Sequence, residues 1–203
     1  MYNFNIDINI KEYKVKDKYI TNKGLKYLNA VKFNNLNKLN LYWNYISDIS
    51  ILDKENYKEL KELNLGKNEI SDISILEKVN FNELNKLDLS QNRISDINVL
   101  EKSNLKNLKQ LYLNSNKISY INILEKVNFP ELNILNLSYN KISNIGVFKK
   151  INLIELHFAG YKISDASIFE KVKFKHLKKL DLSNNLLSYP TYHYSSGFPS
   201  EVD

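Results

Sequence analysis

The sequence predicts an α/β solenoid: a repeated coil with a parallel β-sheet on its concave face and short helices or 3₁₀ turns on its convex face. Three observations predict it. Equivalent leucines open units at Leu36, Leu60, Leu84, Leu108, Leu132, Leu153 and Leu177, a period of 24 residues with one step of 21 between Leu132 and Leu153. Within each unit leucines alternate with variable residues, the period-two signature of a strand buried on one face. An asparagine then recurs at the ninth position, as Asn44, Asn68, Asn92, Asn116, Asn140 and Asn185.

Counted from its first leucine, a unit reads LKELNLGKNEISDISILEKVNFNE, as at 60–83. Its fourth position is Leu39, Leu63, Leu87, Leu111, Leu135, Leu156 and Leu180. Side chains alternate across a strand, so these leucines point inward and the residues between them point out of the sheet. A lone unit cannot bury its leucines, but stacked units bury them in one column. The recurring asparagine carries donors and acceptors that can satisfy backbone groups where the chain leaves the strand, coil after coil.

The opening LxxLxLxxNxI resembles the leucine-rich-repeat signature, and the resemblance covers residues 36–187 as seven repeats. The NxISDIS and LEK segments resemble the SDS22-like class of these repeats, named after a protein phosphatase 1 regulator. They are also similar to the repeats of internalins, the bacterial surface adhesins. Both groups bind proteins and neither is catalytic, so the resemblance implies an interaction module.

The second half of the unit carries a polar residue followed three later by an acid: Ser50 with Asp53, Ser74 with Glu77, Asn98 with Glu101, Asn122 with Glu125 and Ser167 with Glu170. This is a capping-box pattern and predicts a short convex helix or 3₁₀ turn in each unit. In the 21-residue step, Lys149 stands where the other units have an acid, and the following unit has Tyr161 in place of asparagine. Slippage during repeat evolution or a reshaped binding site would each produce it.

A solenoid needs lids. Residues 1–35 read as an amino-terminal cap: Phe4, Ile6, Ile8 and Ile10 alternate with polar residues, and Leu25, Leu28 and Phe33 align with Ile49, Leu52 and Tyr57 as a degenerate half repeat. Residues 188–203 read as a carboxy-terminal cap or a tail, with Tyr189, Tyr192, Tyr194 and Phe198 available to cover the last coil.

Composition bounds the function. At 203 residues and 43% hydrophobic content the chain can bury a sizeable core. It has no cysteine, which removes disulfides and cysteine-based zinc sites and leans toward a reducing compartment. The amino terminus meets a charge at Asp7 and offers no apolar signal-peptide core, and no stretch reaches the roughly 18 to 20 apolar residues of a membrane span. The expected location is cytoplasmic. The net charge of +6, from 29 basic and 23 acidic residues, is scattered rather than blocked, so it serves solubility more than nucleic-acid binding.

A partner would meet the outward strand positions three, five, seven and eight, which vary between units. The aromatics among them are candidate anchors, because hot spots favour rings that bury large area with few rotors. Tyr42, Trp43 and Tyr45 make one patch; Tyr112, Ile134, Tyr139 and His157 make another. Concave charge is mixed, Lys38, Lys67, Lys86 and Lys179 against Glu62, Asp88, Glu155 and Asp181, whereas a nucleic-acid groove should be one-signed. The tenth position reads Arg93, Lys117, Lys141 and Lys162 in consecutive units, a basic rim that would either steer an acidic partner or remain a solvated edge.

Catalysis has little to stand on. His157, His176 and His193 fall on a concave strand, a convex loop and the tail, so no cluster of catalytic groups or metal ligands is expected. His157 and Asp181 share the fifth position of adjacent units and should adjoin, as an ion pair or ligand contact more readily than as an acid/base dyad. No cofactor or metal is expected, and the expectation is a non-enzymatic binder of a protein partner.

Overall fold

The computed structural model describes residues 6–17, 19–28, 30–52, 57–143, 147–148, 151–161, 172 and 174–186. Among these residues ten three-residue strands follow in chain order: β1 (Ile6–Ile8), β2 (Glu12–Lys14), β3 (Val31–Phe33), β4 (Lys38–Asn40), β5 (Glu62–Asn64), β6 (Lys86–Asp88), β7 (Gln110–Tyr112), β8 (Ile134–Asn136), β9 (Glu155–His157) and β10 (Lys179–Asp181). Strands β2 and β4 to β10 form one eight-stranded sheet in that order, and its neighbouring strands pair in parallel. Every coil advances in the same direction, so each strand can pair only in parallel with the one a coil away. The register joins equivalent positions, Leu39 to Leu63 to Leu87 to Leu111 to Leu135 to Leu156, across the 21-residue step as well.

The leucine column is buried as the alternation requires. Leu63 is 1% exposed, and Leu87 and Leu111 are 0% exposed. Burying each such side chain contributes about 1.5–3 kcal/mol of gross hydrophobic free energy. At the far end Leu180 is 37% exposed, because among the described residues nothing stacks on β10 from outside. The carboxy-terminal cap or tail at 188–203 lies outside the described residues, as does the Ser167 and Glu170 pair.

The amino-terminal region contributes a strand that the sequence pattern hides. β2 continues the large sheet, pairing Tyr13 with Leu39, while β1 pairs with β3 in a separate two-stranded sheet. Tyr13 replaces the framework leucine and packs its ring against Phe33, with centroids 5.4 Å apart. On the convex side the helix α1 (Asn22–Leu28) stands where later coils have 3₁₀ turns, burying Leu25 and Leu28. The Asn22 side chain accepts the backbone N–H of Ser47 and Asp48 at 2.9 and 3.0 Å, which ties this region to the first repeat.

Convex 3₁₀ turns run over Ser50–Leu52, Ser74–Glu77, Asn98–Glu101 and Asn122–Glu125. Their start differs from the capping-box expectation. Ser74, Asn98 and Asn122 are the first helical residues rather than caps, and Ile73, Ile97 and Ile121 occupy the cap without side-chain hydrogen bonds. In three units the capping oxygen comes from the aspartate two residues earlier: Asp48, Asp72 and Asp96 each accept the backbone N–H of Ser50, Ser74 and Asn98 at 2.8 to 2.9 Å. The short Asp side chain reaches the amide two residues on, an Asx turn. That oxygen hydrogen-bonded to Ser50 holds the Asp48 carboxyl below its ordinary range.

The asparagine ladder forms as the sequence implies. Asn68 Nδ2 donates to Leu65 O in its own coil and to Leu41 O in the coil before, both at 3.0 Å, while its Oδ1 accepts Ile46 N–H at 3.0 Å. Asn92, Asn116 and Asn140 repeat the pattern one coil at a time. Tyr161 breaks it in sequence but not in function: its hydroxyl donates to Leu137 O, the carbonyl equivalent to those the asparagines reach. Its ring stacks on Phe158 at 3.9 Å, and Phe158 meets Phe148 edge-on at 5.8 Å. Rings thus fill the interior beside the shortened step, as close packing demands. Gly146 and Lys149 lie outside the described residues.

Candidate functional site

The concave sheet is built from rows of equivalent positions, and neighbouring strands sit about 4.8 Å apart. At the third position the rows place Glu12, Lys38, Glu62, Lys86, Gln110, Ile134, Glu155 and Lys179 in register. Opposite charges adjoin: Lys38 Nζ lies 2.6 Å from Glu62 Oε1 and Lys179 Nζ 2.7 Å from Glu155 Oε1. The Glu62 carboxylate raises the Lys38 ammonium above its ordinary value. Charge that counts as balanced in the sequence is therefore arranged as a self-neutralising ladder.

The fifth position is less free than the sequence implies. Asn40, Asn64, Asp88, Asn136 and Asp181 each use Oδ1 to accept the backbone N–H two residues on, at 2.9 to 3.0 Å, closing the turn out of the strand. Asp88 also accepts the Ser90 hydroxyl at 2.6 Å. The asparagines and aspartates there have a backbone duty, and Asp88 and Asp181 offer a partner only what that duty leaves.

The seventh position is corrected further, since Gly66, Ser90, Ser138 and Ala159 are buried rather than presented to a ligand. The Tyr42 ring lies over Gly66, where an added Cβ would meet it at 3.1 Å. The eighth position turns the chain with positive φ in every unit: Trp43, Lys67, Gln91, Ser115, Tyr139, Gly160 and Asn184, with φ from 53 to 81°. That conformation splays these side chains at the edge of the sheet, and only Gly160 adopts it without Cβ strain.

The first aromatic patch divides. Tyr42 is half-buried with Lys16 Nζ 5.5 Å from its ring centroid; Trp43 is exposed with Lys67 Nζ 3.4 Å from its centroid. Tyr45 sits on the rim at the tenth position and stacks on Tyr19 at 5.6 Å. Of the second patch, Tyr112, Ile134 and His157 share the concave strands β7 to β9, while Tyr139 stands at the eighth position. Ile134 lies between Gln110 and Glu155, and Tyr112 and His157 flank Asn136. Tyr112 is half-buried beneath Lys86 Nζ at 5.6 Å, and its hydroxyl donates to Gln110 Oε1 at 3.2 Å. Burial, then the charges of Glu155 and Asp88, push the Tyr112 phenol above its ordinary value. The Tyr139 ring packs over Gly160, and its hydroxyl accepts Asn184 Nδ2 at 2.6 Å.

His157 adjoins Asp181 as the register implies, Nδ1 to Oδ2 at 3.3 Å, while its Nε2 meets Glu155 on the same strand. The hydrogen bonds from Lys179 and His157 hold the Glu155 carboxyl below its ordinary range, and the Ser183 hydrogen bonds lower that of Asp181. Both ring nitrogens face carboxylates, so His157 belongs to a polar cluster with Glu155 and Asp181. Among the described residues no three His, Cys, Asp or Glu side chains gather as metal ligands. On the basic rim Arg93 is paired with Glu69 at 3.1 Å, Lys117 and Lys141 are exposed, and Lys162 lies outside the described residues.

A one-coil-per-unit stack with a parallel concave sheet, convex 3₁₀ turns and an asparagine ladder defines a solenoid repeat protein. The family patterns agree: Leucine Rich repeats (2 copies) matches residues 58–102 and 82–126, and single leucine-rich-repeat patterns match 131–149 and 176–200. The chain belongs to the leucine-rich-repeat proteins, a family of interaction modules that are typically non-catalytic. No curated protein matches it by sequence.

Among solved structures it is similar to internalin C2 of Listeria monocytogenes, with 27% identity and a TM-score of 0.70 over 90% of this chain and 75% of that one. It is also similar to an internalin F of Listeria monocytogenes, at 25% identity and a TM-score of 0.65 over 87% of this chain and 54% of that one. A leucine-rich-repeat protein of Leptospira interrogans aligns at 26% identity and a TM-score of 0.63 over 91% of this chain. The chain spans 44% of the length of that last protein. Among the described residues no helix is long and apolar enough to cross a membrane.

Proposed function

We propose that this chain holds a partner protein against its concave sheet, as an intracellular scaffold or regulatory adaptor of the SDS22-like class. The observation that carries the reading is the contrast between a constant interior and a variable exterior: leucines fill the inward strand position of β4 to β10, while Trp43, Tyr112, Ile134 and Tyr139 stand among the outward residues. Large rings that keep part of their surface in solvent are the residues from which binding hot spots are made. The mixed, internally paired charge of the sheet supports a protein partner over nucleic acid.

The test is capture of a specific partner by the wild-type chain and by a Tyr42→Ala, Trp43→Ala, Tyr112→Ala, Tyr139→Ala variant, with the partner identified by mass spectrometry. The variant should lose it. Equal recovery by both would remove the concave face from the account.

A second reading, an internalin-like surface or secreted adhesin, is favoured by the structural likeness to two Listeria monocytogenes internalins. Fractionation of the native host separates the two. Protein in the soluble cytoplasm supports the adaptor, and protein on the cell surface or in the medium supports the adhesin. An architectural role in a larger assembly would instead bury convex residues such as Lys78 and Lys102, which labelling of lysines in host extract would reveal.

A further inference from the structure

Two rows of the concave sheet follow rules that both break on β7. The third-position row alternates Glu12, Lys38, Glu62 and Lys86, then loses charge at Gln110 on β7 and Ile134 on β8, and resumes with Glu155 and Lys179. The fifth-position row supplies the turn-closing carbonyl or carboxylate on β4, β5, β6, β8 and β10, and gives it up on β7 for Tyr112. On β9 the substitute is His157, already held by Glu155 and Asp181. On the rim, Lys117 and Lys141 belong to the same two central units, and they are exposed with no ion pair among the described residues. Their neighbour Arg93 is tied to Glu69.

We infer that Gln110, Tyr112 and Ile134, with Lys117 and Lys141 on the rim, form a docking window for an acidic protein segment that carries an aliphatic or aromatic side chain. The inference rests on the concave-face reading above and narrows it. An apolar side chain can cover Ile134 and the part of Tyr112 that Lys86 leaves open while stripping less water from charge than the flanking ladder would require, and burying an unpaired charge is far more costly than burying a methyl group. Lys86 and Glu155 bound the window along the sheet. Lys117 and Lys141 stand one strand apart, about 4.8 Å, a spacing that suits neighbouring carboxylates. A basic segment would meet like charge there, whereas an acidic one is drawn in.

The experiment uses a random dodecapeptide display library panned on the immobilised full chain, with enriched peptides measured by fluorescence polarisation. Enriched peptides should pair Asp or Glu with Phe, Leu, Ile or Trp. Binding should weaken tenfold or more in Ile134→Lys and in Tyr112→Ala, each checked for an unchanged circular-dichroism spectrum. Lys117→Glu with Lys141→Glu should weaken it as much, and peptides with the acids changed to lysine should then bind the reversed variant. Enrichment without acids, no enrichment over a blank surface, or affinity indifferent to these four residues overturns the window. If Tyr42→Ala with Trp43→Ala abolishes binding while the window variants do not, the window falls and the concave reading survives. If neither set matters, both fall.

Discussion

Replacing Asn92 by alanine tests whether the asparagine ladder binds coil to coil. Asn92 Nδ2 donates to Leu65 O at 3.0 Å, Leu89 O at 3.1 Å and Ser90 O at 3.0 Å, and its Oδ1 accepts Ile70 N–H at 2.9 Å. The losses are unequal. Leu65 O keeps the amide of Asn68, and Leu89 O keeps that of Asn116. Ile70 N–H, in a residue with 0% exposure, has no other acceptor among the described residues. An orphaned buried donor costs about 1–3 kcal/mol, and the weakened carbonyl contacts add about 0.5–1.5 kcal/mol, so the variant should lose about 3 kcal/mol. With a urea slope of about 1–3 kcal/mol/M, the unfolding midpoint should fall by about 1–3 M. Equilibrium urea unfolding followed by circular dichroism reads this directly. Asn92→Asp retains the acceptor for Ile70 but faces the carbonyls of Leu65 and Leu89 with negative charge, so it should be no more stable. An Asn92→Ala midpoint within experimental error of wild type would refute the reasoning, because it would mean that the buried amide of Ile70 needs no partner.

Three further outcomes are expected. The Tyr57 hydroxyl is buried with no hydrogen-bond partner among the described residues, and burial pushes its pKa up to about 12; other units place Phe81, Leu105 and Phe129 there. Tyr57→Phe should therefore gain about 1 kcal/mol, read as a rise of about 2–4 °C in thermal midpoint; a drop would reveal a partner for that hydroxyl. Lys179→Ala should raise the Glu155 pKa toward the ordinary value of about 4.3, followed by carboxyl NMR titration. Because the folded pKa is the lower one, the stability this contact supplies is present above the unfolded pKa and is lost as pH falls through the folded value. An unshifted Glu155 titration in the variant would contradict the contact. Lys67→Ala should change the emission of Trp43, the single tryptophan, since it removes a cation 3.4 Å from the ring centroid, a contact worth about 0.5–1 kcal/mol at an exposed site. An identical spectrum would show that the ammonium does not rest there in solution.

The repeat was legible because its information is local. Leu63 and Leu65 are two residues apart and land on one face whatever the rest of the chain does, and Asn68 follows at a fixed distance. The candidate site was legible only in outline. Asp88 reads in sequence as a free acid on an outward position, yet its oxygen is engaged by Ser90, and the same local geometry engages Asn40, Asn64, Asn136 and Asp181. The clue was present, since five units hold Asn or Asp there, but variation at the flanking positions masked it. The Asp of each SDIS segment was similarly overlooked in favour of the serine two residues on; the backbone turns so that the aspartate accepts the amide of that serine, which is the first helical residue. β2 was missed because Tyr13 and Val15 stand where leucines mark the later strands.

The amino-acid sequence alone determined the coil, its period, the buried face and the asparagine at each strand exit, since periodicity within a segment decides which side chains share a face. Only the tertiary structure decided what those outward side chains have left to offer. Partners 24 residues apart, such as Lys38 with Glu62 or His157 with Asp181, meet through the register of stacked strands. That register is set by backbone hydrogen bonds between coils, which also determine that Arg93 pairs with Glu69 while Tyr112 and Ile134 lie diagonally on adjacent strands where the third-position row carries no charge.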